Sequence, residues 1–221
     1  MTAAHIIAIL GAECTGKSTL AKFLCQELAK VGVDAVVVPE ALRSFCDVHG
    51  RAPEAEEQPA LAQVQSDAIA SASGQHAVVL ADTTALMTAM YSDLYFNDPG
   101  LFTQAARAHR ACHLTLLTGL DLPWVADGIQ RDSPRMRETA DARLRGVLLD
   151  QEIPFSVVYG QGPLRERAAL AAVWRCLRPP HDPPATPRWR WTCPHCSDGS
   201  GEAAERALRR CATEAGGPWG R

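Results

Sequence analysis

One segment constrains this chain more than any other: Gly11-Ala-Glu-Cys-Thr-Gly16-Lys17-Ser18, a G-x-x-x-x-G-K-[ST] pattern. An unbroken apolar run, HIIAIL at 5–10, precedes it, and leucines and a phenylalanine at helical spacing (Leu20, Phe23, Leu24, Leu28) follow it. A buried strand, a tight glycine turn and a helix in that order form the context in which this pattern cradles phosphate. Gly11 and Gly16 let the backbone curl so that its N–H groups converge on an anion. The helix N-terminus adds partial positive charge, Lys17 is placed for the β- and γ-phosphates, and the Ser18 hydroxyl is placed for Mg²⁺. The nucleotide contacts expected here are Gly11, Glu13, Cys14, Thr15, Gly16, Lys17, Ser18 and Thr19. Cys14 reads either as a small filler in the loop or as a thiol whose oxidation would block ATP.

The rest of the sequence alternates strand and helix patterns. Strands are expected at 5–10, 33–38, 76–81, 112–118 and 154–159. Helices are expected at 17–31, 54–73, 84–95, 99–110, 136–151 and 163–177. That alternation predicts an α/β domain of the P-loop NTPase class, a five-stranded parallel sheet flanked by helices. The 221 residues suit one such domain with a short appendage. The expected boundaries are a kinase-like domain at 1–178, a Pro-rich linker at 179–187 (PPHDPPATP) and a Cys-containing tail at 188–221.

Bulk properties exclude several alternatives. A net charge of −3, with seven arginines against five acids from 178 onward, argues against a general nucleic-acid binder. No apolar run approaches the length of a membrane span. The opening MTAAHIIAIL lacks a basic flank and reads as a strand, not a signal peptide. Five of eight cysteines are scattered (Cys14, Cys25, Cys46, Cys112, Cys176), which is no secreted disulfide framework and fits reduced thiols in the cytoplasm. In the tail, Cys193-Pro-His-Cys196 is half of a zinc site. Bound Zn²⁺, a redox pair and two plain thiols are its alternatives. The tail is also where a protein partner or a second copy of the chain would be expected to dock.

Two acids sit where strands end. Asp82 closes HAVVLAD, the place for a carboxylate that holds the Mg²⁺ shell, or for an N-cap of the helix near Thr84. Glu40 follows VVVP and would point into the ligand crevice at the sheet's C-terminal edge. Either acid is a candidate general base for a substrate hydroxyl. Arg43, three residues on, is placed to orient substrate or phosphate, or simply to pair with Glu40. After the fourth strand, Trp124 and Asp127 come just before Arg131, Arg135 and Arg137, a set suited to folding over a transferred phosphate.

Taken together, the stretches IIAILGAECTGKSTLAKFL, PEALRSF, LADTTALMTAMYSDLYF and DLPWVADGIQRD resemble the ribosylnicotinamide kinase domain of bacterial bifunctional NAD-biosynthesis and regulator proteins, within the AAA-type P-loop group. The last stretch is the most specific, since that family shows PWVADGLR there. The resemblance spans about residues 5–175. It implies ATP-dependent phosphorylation of a nucleoside-like 5′-hydroxyl, nicotinamide riboside giving nicotinamide mononucleotide. Glu40, Arg43, Asp82, Trp124 and Asp127 would face the substrate, and Lys17, Glu40, Asp82, Arg131 and Arg135 would serve catalysis. The departures are Gln130 where the family has Arg, Pro39 where some members carry an aromatic residue, and Asp82-Thr83-Thr84 in place of Asp-Thr-Asp. A kinase unit without the adenylyltransferase domain is expected. A nucleotide-dependent switch and a catalytically silent ligand sensor are the competing expectations. A GTPase is not, because no N-K-x-D segment reads guanine.

Overall fold

The computed structural model describes residues 4–125 and 133–178. Five strands form one sheet: β1 (His5–Leu10), β2 (Ala35–Val38), β3 (Val78–Asp82), β4 (Leu114–Thr118) and β5 (Ser156–Val158). Seven α-helices accompany them: α1 (Lys17–Lys30), α2 (Ala41–His49), α3 (Gln58–Ser73), α4 (Ala85–Phe96), α5 (Phe102–His109), α6 (Pro134–Asp150) and α7 (Gly162–Leu177). A 3-10 turn, Ala55–Glu57, leads into α3, and its Glu54 and Glu57 cap each other reciprocally.

The sheet order is β2-β3-β1-β4-β5, and every pairing is parallel. β1 therefore lies at the centre, as its apolar run requires of a strand covered on both faces. Its side chains alternate between two cores. Ile7 and Ile9 pack with Leu20, Leu24, Leu28 of α1 and Val173 of α7. Ala8 and Leu10 pack with Leu86, Met90, Leu117, Leu144 and Leu148. Helices thus cover both faces of the sheet, and the C-terminal ends of all five strands share one edge. β1 has one neighbour reached by an earlier crossover and one by a later one, so the loop after it lies where the strand order reverses, the usual crevice for a ligand in such sheets.

The expected five-stranded parallel sheet is present. β1 spans the expected residues; the ends of the other strands differ by a residue or two, and β3 extends to Asp82, which pairs with Ile9. The helix α2 follows Glu40 directly. The short segment ALRSFCDVH holds one fully buried residue, Cys46, and ends at Gly50 in the left-handed conformation, φ 67°. The cap of α4 is Thr84, whose hydroxyl accepts from the Leu86 N–H at 3.4 Å, so Asp82 is not the cap. Its carboxylate is left for another use.

The five cysteines among the described residues are all free thiols. No helix among the described residues is long and apolar enough to cross a membrane. The chain divides into two units between Leu177 and Arg178. The linker 179–187 and the tail, with Cys193 and Cys196, lie outside the described residues, as do Asp127, Gln130 and Arg131.

Candidate functional site

The loop after β1 closes on itself through side chains. Thr15 donates to the Ala12 carbonyl at 2.7 Å, and the Thr118 hydroxyl from β4 lies 2.7 Å from Thr15 Oγ1 and 3.0 Å from the Leu10 carbonyl. Gly11, at φ 147°, passes so close to β4 that an added Cβ would stand 2.0 Å from Thr118 Oγ1. Only glycine fits there. Gly16 starts α1 at φ 73°, the left-handed region. Lys17 Nζ donates to the carbonyls of Gly11 and Ala12 at 2.9 and 3.0 Å, so the ammonium is folded back over its own loop. An ammonium held only by carbonyl oxygens can exchange them for stronger, charged acceptors.

The two expected carboxylates flank this loop from β2 and β3. Asp82 is 3% exposed and pairs in register with Ile9 of β1. Its Oδ1 is buried with no hydrogen-bond partner. Thr83, next to it, sits at φ 72°, a strained conformation for a β-branched residue, with its N–H donated to the Ile9 carbonyl at 3.1 Å. Glu40 is held nearby. Burial pushes its carboxyl above the usual range and Asp82 adds to this, while Lys17 and Arg43 oppose it. Arg43 Nη2 stands 3.9 Å from Glu40 Oε2, with the arginine side chain half exposed. The pairing expected at i, i+3 therefore exists, but it is long and does not neutralise an acid that faces inward.

All of these groups open into one cavity of about 760 Å³. Glu13, Lys17, Ser18, Glu40, Arg43 and Asp82 supply its polar and charged wall, and Tyr91, Tyr95 and Phe96 supply an aromatic wall. Tyr91 and Tyr95 stack with ring centroids 5.8 Å apart, and the Tyr91 hydroxyl reaches Glu13 Oε2 at 3.3 Å. Burial, with the nearby Glu13 and Glu40, raises the Tyr91 phenol well above its ordinary value, so it stays protonated as a donor. The sequence reading missed this aromatic pair. Its signal was the i, i+4 spacing in AMYSDLYF, at the end of a stretch quoted for other residues.

On the other flank the segment after β4 folds onto the loop. The Cys14 thiol donates to the Val125 carbonyl at 3.1 Å and accepts from the Val125 N–H at 3.5 Å, so Cys14 is a tether between the two segments. Arg165 of α7, 5% exposed, donates to the Thr15 carbonyl, to Gly160 at 3.2 Å and to Asp121 at 3.4 Å. This contact joins three loops, and no local pattern signalled it. Trp124 does not line the cavity, and its indole N–H is buried without a partner among the described residues. Of the three arginines expected to fold over the phosphate, two are described: Arg135 is exposed, whereas Arg137 is buried with Nε and Nη2 unpartnered among the described residues.

Comparison with known proteins fits this geometry. A family model described as the AAA domain matches residues 6–167. No curated protein sequence matches the chain. Among solved structures, the fold is similar to that of a NadR protein in complex with NR, with TM-score 0.64 and 18% identity over 78% of this chain and 51% of that one. A NadR protein in complex with NAD and AMP-PNP gives 0.62 and 17% over 78% and 49%. Thymidylate kinase from Ehrlichia chaffeensis gives 0.55 and 12% over 80% and 100%. The chain spans about half the length of the two NadR chains. At these identities the likeness establishes a fold of the P-loop kinase type.

Proposed function

The chain belongs to the AAA domain family, and from that premise we propose that it is an ATP- and Mg²⁺-dependent kinase of small molecules, phosphorylating the 5′-hydroxyl of a nucleoside-like acceptor. Nicotinamide riboside is the first acceptor to test. One observation carries the reading: a single cavity joins the phosphate loop, two strand-end carboxylates and an aromatic wall. A switch protein needs the first of these, and only a transferase needs all three beside one another.

The residues present suit Mg²⁺. Asp82 offers a buried carboxylate oxygen with no protein partner, and Ser18 offers a hydroxyl on the same cavity wall. Hard oxygen donors of this kind are what Mg²⁺ takes. When bound, the ion neutralises charge that develops on the phosphates. Lys17 leaves the Gly11 and Ala12 carbonyls to hold phosphate oxygens. Glu40 accepts the proton of the acceptor hydroxyl as its oxygen bonds to the γ-phosphorus and the bond to the ADP oxygen breaks. Its raised proton affinity suits that role. Arg43, on the wall of the same cavity, is the described arginine placed to meet phosphate charge. Arg131 and Asp127 keep the lid and substrate roles that the resemblance implies.

The test is ATP consumption and product formation by the purified chain with Mg²⁺ across a panel of nucleosides that includes nicotinamide riboside. Lys17→Ala and Asp82→Ala should abolish turnover. Failure of every acceptor to raise turnover above the Lys17→Ala background would replace the kinase reading with a nucleotide switch or ligand sensor.

A further inference from the structure

The inner face of α3 runs along the cavity, with Gln58, Leu61, Ala62 and Gln65 buried at helical spacing. Its two glutamines differ in one respect. Gln65 is fully occupied by protein: its Oε1 accepts from the Ala41 N–H at 2.7 Å, and its Nε2 lies 3.3 Å from the Pro39 carbonyl and 3.5 Å from that of Thr83. Those partners bracket Glu40 and follow Asp82, so Gln65 marks the reacting end. Gln58 lies two turns earlier, roughly 10 Å along the helix axis. It is only 5% exposed and lines the same cavity, yet its amide makes no hydrogen bond among the described residues.

Resting on the kinase reading, we propose that Gln58 reads an amide edge on the ring of the acceptor and so decides which nucleoside-like molecules the cavity takes. A primary amide both donates and accepts, and its complement is a group that sets a carbonyl beside an N–H, as in a ring carboxamide or a ring lactam. The separation of Gln58 from Gln65 is of the order of a nucleoside's length from its 5′-oxygen to the far edge of its ring. Tyr91 and Tyr95 line the same cavity from α4, which packs against α3, and supply it with an aromatic wall suited to a flat ring. A site built around such a hydrogen bond rejects an analogue that lacks it, because the buried amide is then left unpaired.

The experiment compares nicotinamide riboside with the pyridinium riboside that lacks the carboxamide, using the full chain. Calorimetric affinities and kcat/KM are measured for wild type, Gln58→Leu and Gln58→Glu. Wild type should prefer the amide-bearing ligand by roughly 5- to 150-fold, the ratio an unpaired buried amide produces. Gln58→Leu should erase that preference by weakening only the amide-bearing ligand, mainly in KM, and Gln58→Glu, which keeps an acceptor only, should fall between. Equal loss for both ligands, no change in either, or a wild type that binds neither or prefers neither overturns the proposal. Preferential binding without phosphoryl transfer would uphold the role of Gln58 while removing the kinase reading.

Discussion

Gln65 accepts a hydrogen bond from the backbone N–H of Ala41 at 2.7 Å, and with its other amide atom reaches the carbonyls of Pro39 and Thr83. One buried side chain, 2% exposed, therefore ties the turn carrying Glu40 to the turn carrying Asp82. Gln65→Leu keeps the volume and strands the Ala41 N–H. The expected cost is about 1–3 kcal/mol of stability, seen as a lower Tm. With the carboxylates released from their mutual geometry, kcat should fall by roughly tenfold or more while nucleotide affinity stays near wild type. A variant with reduced Tm and unchanged kcat would make Gln65 a purely structural staple.

Gly11→Ala tests the phosphate loop without touching a charged group. The new methyl would meet Thr118 Oγ1 at 2.0 Å, and the backbone at φ 147° is one that side chains rarely adopt. The loop must shift, so nucleotide binding by calorimetry should vanish, and Tm should fall on the scale of about 2 kcal/mol or more. Adding Thr118→Ala relieves only part of the clash, because the Thr118 carbonyl remains 3.1 Å away and the dihedral is unchanged. Full recovery of binding in the double variant would show that crowding, not backbone conformation, makes glycine necessary.

The legible parts of this molecule are those written in short-range pattern. The apolar run of β1, the glycine spacing of the loop and the strand-end acids Glu40 and Asp82 all announce themselves within a few residues. The less legible parts depend on what the sheet brings together. Tyr91 and Tyr95 read as one more stretch of an apolar helix, and become a cavity wall only because α4 packs beside α3. Gln58 and Gln65 read as generic helix formers, since nothing in sequence separates a solvated glutamine from a buried one. Arg165 holds the Thr15 carbonyl across 150 residues, a contact beyond any window of periodicity. The helix α2 is absent from the expected elements, because nine residues make a short helix whose stability depends on what it packs against.

His109 gives the fold a pH dependence of known sign. It is 2% exposed, with Nδ1 2.9 Å from the Thr84 hydroxyl and Nε2 2.9 Å from that of Thr115. Burial pushes its pKa down from 6.5 to about 4. The unfolded chain therefore takes up a proton before the folded one as pH falls. The stabilisation is complete above pH 6.5 and is lost progressively toward pH 4, by about 3 kcal/mol in all. Denaturant unfolding at pH 7 and pH 5 should show wild type losing more stability than His109→Gln over that interval, although the variant starts lower. Equal losses would mean that the imidazole is not carried into the core as the neutral form.

Glu40 should control the acid side of catalysis. Its carboxyl lies above the usual 4.5, chiefly through burial and then through Asp82, and it must be ionised to accept a proton. Activity in kcat/KM should thus rise with pH through a limb set by the free enzyme. Glu40→Gln should remove the limb and lower kcat by roughly 10²–10⁴. Arg43 favours the charged form from 3.9 Å, so Arg43→Ala should move the limb to higher pH with little change in the plateau, and Arg43→Lys should restore it in part. Because the Arg43 side chain is half exposed, added salt should shift wild type in the same direction as Arg43→Ala and leave that variant nearly unmoved. A limb that ignores both Arg43→Ala and salt would assign the proton to a group out of reach of this arginine, and Asp82 would become the first base to test.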